Sequence, residues 1–202
     1  METGAVIVAA GMSTRMAQYK QLMKIGDLAM AERVIVNFQQ AGVKEIVMVT
    51  GHRASELEAE FGHYNITFLR NENYETTEMF DSAKIGLSYL KGRCRKILFC
   101  PADIPFFQDT TVALLLRQKG DIIQPDYQGK AGHPIVINAS YLPDIIRYQG
   151  EGGLKGALGS LKDAVRVRIP VEDEAVLMDA DTKEEFHRLV ELHHSRQMHA
   201  RG

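Results

Sequence analysis

Short apolar runs alternate with amphipathic stretches through the first 120 residues of this 202-residue chain. Four runs are short and bounded by polar or small residues: Ala5–Ala9, Glu45–Thr50, Ile66–Leu69 and Lys96–Cys100. Buried strands have this length and composition. Strands that alternate with helices build βαβ units, so the pattern predicts a three-layer, Rossmann-like α/β fold with a mainly parallel sheet covered on both faces.

The stretches between these strands repeat apolar residues at helical spacing. Two such faces predict helices, the first through Met30, Val34, Phe38 and Ala41 and the second through Met79, Ala83, Leu87 and Leu90. A short helix is expected around Ser55–Phe61. Another is expected from Asp109, placed as its N-cap, to Lys119.

Beyond residue 120 the alternation is less regular. The expected elements are strands at Ile122–Gln124, Pro134–Ile137 and Val165–Ile169, an extended segment at Val176–Met178 and a closing helix at Lys183–Leu192. The five glycines of Gly150–Gly159 predict a flexible or tightly turned piece, and residues 193–202 are expected to fray. No repeat or linker divides the chain, so residues 1–202 are predicted to form a single domain.

Composition excludes several classes of protein. The 24 basic and 26 acidic residues leave a net charge of −2, which argues against nucleic acid or a membrane surface as a partner. No apolar run approaches the roughly 18 residues of a membrane helix, and Met1–Gly4 does not resemble the start of a signal peptide. Only Cys94 and Cys100 could form a disulfide, and Cys100 ends an apolar run. A reduced, cytoplasmic protein is expected.

The stretch Ala5–Lys20 is the strongest candidate for a binding loop. A buried strand ends in the small-residue turn Ala10-Gly11, and the cations Arg15 and Lys20 follow. Small residues let backbone N–H groups approach an anion, and the cations neutralise its charge, so the stretch suits phosphate. It contains neither Gly-x-Gly-x-x-Gly nor a P-loop, which excludes the two common phosphate fingerprints. The alternative is that Arg15 and Lys20 are solvated loop charges.

Four ordered motifs resemble those of the MobA-like nucleotidyltransferases, and most of all the molybdenum cofactor cytidylyltransferase branch. The first runs from Ala9 to Met16, Ala-Ala-Gly-Met-Ser-Thr-Arg-Met, and is followed by Lys20. The others are Pro101-Ala102-Asp103-Ile104-Pro105, Gly132-His133-Pro134 and Asp179-Ala180-Asp181-Thr182. The resemblance covers roughly residues 5 to 190 and implies a nucleotidyltransferase fold with a mixed, mainly parallel sheet.

The resemblance also implies a chemistry for these residues. A nucleotidyl group, CMP from CTP in this branch, would pass to a molybdopterin-type acceptor with release of pyrophosphate, and Mg²⁺ would be held by Asp103 and Asp181. Arg15 and Lys20 would contact the triphosphate and act in catalysis with Asp103. The resemblance further implies that the acceptor contacts His133 and Lys155. It implies that the nucleotide also contacts Ala9, Ala10, Gly11, Met12 and Ser82.

Several alternatives stay open at the level of sequence. Asp179 competes with Asp181 as second metal ligand, and Asp181 could instead cap the Lys183 helix. His133 could simply hold its loop, and Lys155 could be a solvated lysine. The acceptor could be a sugar or alcohol phosphate, the base could be guanine, or the chain could be a non-catalytic accessory protein that passes cofactor to a molybdenum-enzyme apoprotein.

Three positions depart from the family pattern. Ala17 stands where the relatives have glycine after Arg-Met, and Ala102 stands where they have glycine before the metal-binding aspartate. Glu78 stands where they have glycine before the methionine. An acidic residue near the base pocket could alter the choice of base.

Overall fold

The computed structural model describes residues 2–12 and 19–199. The strands within these ranges are β1 (Thr3–Ala9), β2 (Lys24–Ile25), β3 (Leu28–Ala29), β4 (Glu45–Thr50), β5 (Thr67–Arg70), β6 (Lys96–Pro101), β7 (Ile122–Tyr127), β8 (Lys130–Ala131), β9 (Ile135–Asn138) and β10 (Arg166–Pro170). The α-helices are α1 (Met30–Gln40), α2 (Ala54–Phe61), α3 (Met79–Leu90), α4 (Asp109–Arg117), α5 (Leu142–Arg147), α6 (Gly153–Ser160) and α7 (Lys183–His199). Short 3₁₀ turns lie at Lys20–Leu22, Ala139–Tyr141 and Glu174–Leu177.

One mixed sheet organises the described part of the chain. Its strand order is β10-β7-β9-β6-β1-β4-β5, with β8 paired to β7, while β2 and β3 form a separate hairpin. Strand β1 is parallel to both β4 and β6, and β5 and β10 extend the sheet in parallel with β4 and β7. Strand β9 runs antiparallel between β6 and β7. The predicted α/β fold with a mainly parallel mixed sheet is therefore confirmed.

Alternate residues of the central strands face opposite helical layers. In β1, Ala5, Ile7 and Ala9 join the core formed with α1, α2 and α4, whereas Val6 and Val8 join the core formed with α3, α5 and α6. This follows from the two-residue period of a strand, which sends neighbouring side chains to opposite faces. Because both faces are covered, the strand reads as an uninterrupted apolar run.

Most predicted elements lie within two residues of those observed, and β4 has the predicted bounds. Asp109 is not the N-cap of α4: it is the first helical residue, and Gln108 occupies the cap position. The segment expected to be extended at Val176–Met178 lies mostly in the 3₁₀ turn at Glu174–Leu177. The prediction missed α5 and the hairpin of β2 and β3, whose strands have only two residues each.

The closing helix is longer than the sequence pattern predicted. Helix α7 continues to His199, seven residues past the expected end at Leu192. The helix packs through Leu189 onto Ile25, Phe106 and Ala180, which with Met30 and Ala175 form a third, smaller apolar cluster. The glycine-rich stretch turns at Gly152 and Gly153, both at positive φ, and then forms α6.

Within the two described ranges, no helix is both long and apolar enough to cross a lipid bilayer.

Candidate active site

A cleft of about 540 Å³ opens at the carboxyl edge of the parallel strands. The ends of β1, β4 and β6 align there, since Ala9 of β1 pairs with Thr50 of β4 and Val8 of β1 pairs with Pro101 of β6. Parallel α/β sheets bind ligands at this edge. The predicted site residues that line the cleft are Ala10, Gly11, Lys20, Ser82, Asp103, His133 and Asp181.

Lys20 joins two carboxylates at the centre of the cleft. Its Nζ donates to Asp103 Oδ2 at 2.5 Å and to Asp181 Oδ1 at 2.7 Å. The side chain of Lys20 is only 11% exposed, against 19% for Asp103 and 42% for Asp181. Burial by itself lowers the pKa of Lys20, but the charges and hydrogen bonds of Asp103 and Asp181 outweigh it and leave the pKa raised.

The Asp103 segment is held on both sides by backbone contacts. Ala102 N–H donates to Val8 O at 3.0 Å, which continues the pairing of β6 with β1 by one residue. Downstream, Asn37 Nδ2 on α1 donates to Pro105 O at 3.0 Å and to Phe107 O at 2.8 Å. Asn37 was not identified from sequence, because nothing in the local sequence of a helix indicates that one of its amide side chains binds a loop that is distant in the chain.

The structure separates the roles of Asp179 and Asp181. Thr182 and Glu185 cap α7 reciprocally, since Thr182 N–H donates to Glu185 Oε2 and Glu185 N–H donates to Thr182 Oγ1. Asp181 is therefore not the helix cap, and its carboxylate is paired with Lys20. Asp179 also lines the cleft, and burial, with the charges of Glu185, Asp103 and Asp181, raises its pKa.

One half of the cleft is formed by the end of β1 and the start of α3. Ala10 and Gly11 line it, together with Tyr74, Thr77 and Met79. Ala9 is buried and does not line the cleft, and Met12 is 45% exposed and lies outside the lining. Two of the predicted nucleotide contacts, Ala9 and Met12, are thus not part of the cleft surface.

Ser82 has a clear structural partner in this half of the cleft. It is 2% exposed and accepts a hydrogen bond from Asn71 Nδ2 at 2.9 Å. Asn71 Nδ2 also donates to Thr77 Oγ1, and Asn73 N–H donates to Asn71 Oδ1, so Asn71 organises the whole loop after β5. Its position as the first residue after a strand, in a polar loop, is the sequence signal that could have identified it.

His133 lies on the opposite half of the cleft. Its backbone N–H donates to Val176 O at 2.9 Å, while the centre of its ring lies 5.9 Å from that of the Phe99 ring. Burial lowers the pKa of His133, against a smaller raising effect of a hydrogen bond to the Phe99 backbone, so the ring is neutral near pH 7. Nδ1 is buried and has no hydrogen-bond partner in the described ranges.

Gly132 explains how the backbone at His133 comes so close to Val176. A Cβ at this position would lie 2.5 Å from Val176 O, a separation that real Cβ atoms do not show. Only glycine lets the loop before β9 approach the backbone of the Glu174–Leu177 turn this closely.

Two further predicted residues are not part of the described cleft. Lys155 is exposed on α6 and does not line it, so the structure does not bring this residue to the acceptor half. Arg15 lies outside the described residues. His52, interpreted as structural, packs between the rings of Tyr19 and Tyr74 at 5.7 Å and 5.8 Å.

Residues 5–165 match the model of the MobA-like NTP transferase domain. The chain belongs to this family. It is accordingly a nucleotidyltransferase, as the four motifs indicated, and the identification rests on about four-fifths of its length.

Two curated relatives place this MobA-like protein within the family. It is 27% identical to the molybdenum cofactor cytidylyltransferase of Escherichia coli K12 over 184 residues, which cover 90% of this chain and 92% of the relative. It is 34% identical to the bifunctional protein GlmU of Staphylococcus haemolyticus over 119 residues, or 58% of this chain. That second match spans only 26% of GlmU, about a quarter of the longer protein.

Solved structures share the fold of this MobA-like chain. A nucleotidyl transferase from Methanothermobacter thermautotrophicus, Mth528, superposes with a TM-score of 0.84 at 22% identity, covering 97% of this chain and 99% of its own. Rv0371c of Mycobacterium tuberculosis H37Rv, solved as a complex with manganese, superposes with a TM-score of 0.79 at 22% identity, covering 95% of this chain and 99% of its own. At these identities the likeness establishes the fold.

Nucleotidyltransferases of this fold use divalent metals, and the donor set of the MobA-like cleft fits one. Asp103 and Asp181 each place an oxygen against the same ammonium, so both carboxylates reach a single cation position. Residues 2–12 and 19–199 contain no group of three or more acidic, histidine or cysteine side chains arranged around a metal. Two carboxylates that leave coordination positions for phosphate oxygens and water suit Mg²⁺ or Mn²⁺ better than a closed protein cage.

Proposed function

We propose that this MobA-like protein transfers CMP from CTP to the phosphate of a molybdopterin-type acceptor, with Mg²⁺, and releases pyrophosphate. The cytidylyltransferase of E. coli supports this assignment because the alignment spans nearly all of both chains. The observation that carries the proposal is the convergence of Lys20, Asp103 and Asp181 on one point at the ligand-binding edge of the sheet. A cytoplasmic location agrees with the free thiols of Cys94 and Cys100.

In the proposed reaction an oxygen of the acceptor phosphate attacks the α-phosphorus of the nucleotide. The new oxygen–phosphorus bond forms while the bond from the α-phosphorus to the bridging oxygen breaks, and the electron pair leaves with pyrophosphate. The barrier comes from bringing two anions together and from the charge that accumulates on the leaving group. The protein therefore has to orient the reactants and supply positive charge.

Lys20 is well suited to that task. Its raised pKa keeps the ammonium charged across the physiological range, and its low exposure places the charge in a partly desolvated cleft where electrostatic interactions are strong. Arg15, from the same loop, is proposed as a second contact to the triphosphate, since a guanidinium binds phosphate bidentately. A bound Mg²⁺ would share the negative charge of the phosphates with Asp103 and Asp181.

The two halves of the cleft fit two substrates. Ala10 and Gly11 expose small side chains and backbone next to the centre, which suits the nucleotide. On the opposite half, His133 is proposed to face the acceptor, because it lines the cleft there. Lys155 is not proposed as an acceptor ligand.

A second candidate keeps the chemistry and changes the substrates. In this candidate the acceptor is a sugar phosphate, because the family match fixes the transfer chemistry and leaves the acceptor open. The Glu78 departure beside the start of α3 leaves guanine as an alternative base.

One panel of assays decides among these candidates. The purified protein with Mg²⁺ is mixed with each of the four NTPs and with molybdopterin or a set of sugar 1-phosphates, and pyrophosphate release is measured. CTP with molybdopterin should react fastest. Faster turnover with a sugar 1-phosphate would support the second candidate, and binding of an NTP without turnover would support an accessory protein.

The same assay tests the proposed metal ligand. Asp103→Asn preserves the shape of the side chain and removes its charge, so turnover should fall by about 100-fold or more while the thermal midpoint changes little. Asp109→Asn, at the partly exposed start of α4, is the matched control. Full activity of Asp103→Asn would contradict the metal assignment.

A further inference from the structure

Lys20, Asp103 and Asp181, which meet in the cleft, come from three segments that all pack against helix α7. Lys20 lies just before the β2–β3 hairpin, Asp103 lies three residues before Phe106, and Asp181 flanks Ala180. Ile25 of the hairpin, Phe106 and Ala180 meet Leu189 of α7 in the third apolar cluster, where Ala180 and Leu189 are fully buried. Helix α7 lies outside residues 5–165, which match the family domain.

One side chain of α7 binds two of these segments at once. Arg196 Nη1 donates to Phe106 O at 2.6 Å, and Arg196 Nη2 donates to Asp173 Oδ1 at 2.9 Å. Phe106 belongs to the loop that carries Asp103, and Asp173 begins the segment that leads to Asp179 and Asp181. The guanidinium therefore fixes the distance between the segments of the two carboxylates.

The partner of Arg196 is itself held rigidly. Asp173 is 4% exposed, and its second oxygen accepts from Gln108 N–H at 2.7 Å and from Thr111 Oγ1 at 2.9 Å. Burying a carboxylate without hydrogen-bond donors and a counter-charge is costly. Arg196 supplies the counter-charge, so breaking this contact in the folded protein would leave a buried charge uncompensated.

The third segment is fastened to the same point through Arg33. This guanidinium lies 4.5 Å from the centre of the Phe106 ring and donates to Ile25 O at 2.7 Å. Phe106 is thus held between Arg33 of α1 and Arg196 of α7. The hairpin after Lys20, the loop after Asp103 and the segment before Asp181 all depend on this one junction.

We propose that Arg196 is a positioning residue for the metal-binding carboxylates, and that α7 is the element that assembles the site. The proposal rests on the proposed metal-dependent transfer. In this proposal Arg196 contacts neither the substrate nor the metal. Its role is to hold the Asp103 and Asp181 segments at the separation that one divalent ion requires, as partners outside the first coordination shell do in metal sites.

The test compares Arg196→Gln with Arg188→Gln, a substitution on the same helix at an exposed arginine with no side-chain partner within the described ranges. Mn²⁺ affinity is measured by electron paramagnetic resonance, which needs no turnover. Half-saturation of pyrophosphate release by Mg²⁺ is measured separately at saturating NTP. Arg196→Gln should weaken Mn²⁺ binding and raise the Mg²⁺ requirement by about tenfold each, with kcat at saturating metal nearly retained. Arg188→Gln should change neither.

A conservative variant guards against a purely structural effect. Arg196→Lys keeps the charge and can reach one of the two oxygens, so its metal affinity should lie between those of wild type and Arg196→Gln. The proposal is overturned if both Arg196 variants bind Mn²⁺ as Arg188→Gln does, or if they lose stability and kcat with no change in metal affinity. If wild type transfers no nucleotide but its Mn²⁺ affinity depends on Arg196, the proposed function fails and the positioning role stands.

Discussion

Lys20 gives the cleft its local charge balance, because its ammonium is shared between Asp103 and Asp181 at hydrogen-bond distance. A divalent cation bound by the same two carboxylates has to compete with that ammonium. The triphosphate of a nucleotide would attract Lys20 away from the carboxylates and leave them to the metal. Metal alone should therefore bind weakly to the wild-type protein, and nucleotide should strengthen its binding.

Replacing Lys20 tests this competition. Lys20→Met removes the ammonium and keeps an apolar stem, so Mn²⁺ binding in the absence of nucleotide should tighten by about tenfold, since charge-assisted contacts contribute ~1.5–3 kcal/mol. Mn²⁺ should also raise the thermal midpoint of Lys20→Met more than that of wild type. Lys24→Met, at an exposed lysine in the next strand, is the control. Unchanged or weaker Mn²⁺ binding in Lys20→Met would contradict the idea.

Residues of the site that belong to a local motif could be predicted, and residues that act across the fold could not. Lys20, Asp103 and Asp181 each follow a strand or precede a helix in a recognisable segment, and the structure brings all three together. Asn37 and Arg196 contact the Asp103 loop from helices that are remote in sequence. Their roles depend on how helices α1 and α7 pack, which local patterns do not encode. The position of Lys155 could not be predicted either, because its glycine-rich surroundings form a helix on which the lysine is exposed to solvent.

At the scale of elements, the loop before β9 and the Glu174–Leu177 turn depend on each other. The loop presents His133 to the cleft, and the turn leads to Asp179 and Asp181. They touch where Gly132 meets the carbonyl of Val176, which also accepts the N–H of His133. The contact has no room for a methyl group.

Gly132→Ala should therefore separate the two elements. The new Cβ would approach Val176 O to 2.5 Å, so the loop or the turn must shift, and overpacking of this kind costs ~1–3 kcal/mol. Urea denaturation measures the loss, and the KM for the acceptor should rise more than that for the nucleotide because His133 moves with the loop. Gly159→Ala, at a helical position with no atom within 4 Å of the added Cβ, should keep or improve stability. Equal stability of the two variants would refute the close-contact argument.

The strands and long helices were predictable because burial on two faces and helical spacing leave distinct apolar patterns, as in β4 and α3. The elements that were missed or misread are short or depend on tertiary contacts. The hairpin after Lys20 has two residues in each strand, and the last two turns of α7 are stabilised by Arg196 and its partners. Polar sequence alone made residues 193–199 look like a frayed end.

At the scale of the whole molecule, the two faces of the sheet and the α7 cluster are packed separately. The sheet cores contain the central strands, whereas the third cluster joins α7 to the hairpin and the two carboxylate segments. Small satellite clusters of this kind open at lower free energy than the main core. Helix α7 should thus exchange its amide hydrogens faster than β1 or β6, and the active site should lose its geometry before the sheet unfolds.

Leu189→Ala makes this hierarchy measurable. Leu189 is fully buried in the α7 cluster, so its truncation should lower the free energy of unfolding by ~2–5 kcal/mol. The loss should first weaken the packing of α7 against the rest of the protein. Hydrogen exchange should accelerate in α7 and in the Asp103 and Asp181 segments while β1 and β4 stay protected. Leu87→Ala, in the core beneath α3, should instead accelerate exchange throughout the sheet. Addition of Mn²⁺ with CTP should slow α7 exchange in Leu189→Ala, because the ligands bind only the state in which the carboxylates are assembled. Exchange that rises uniformly in both variants would mean that α7 and the sheet unfold as one unit.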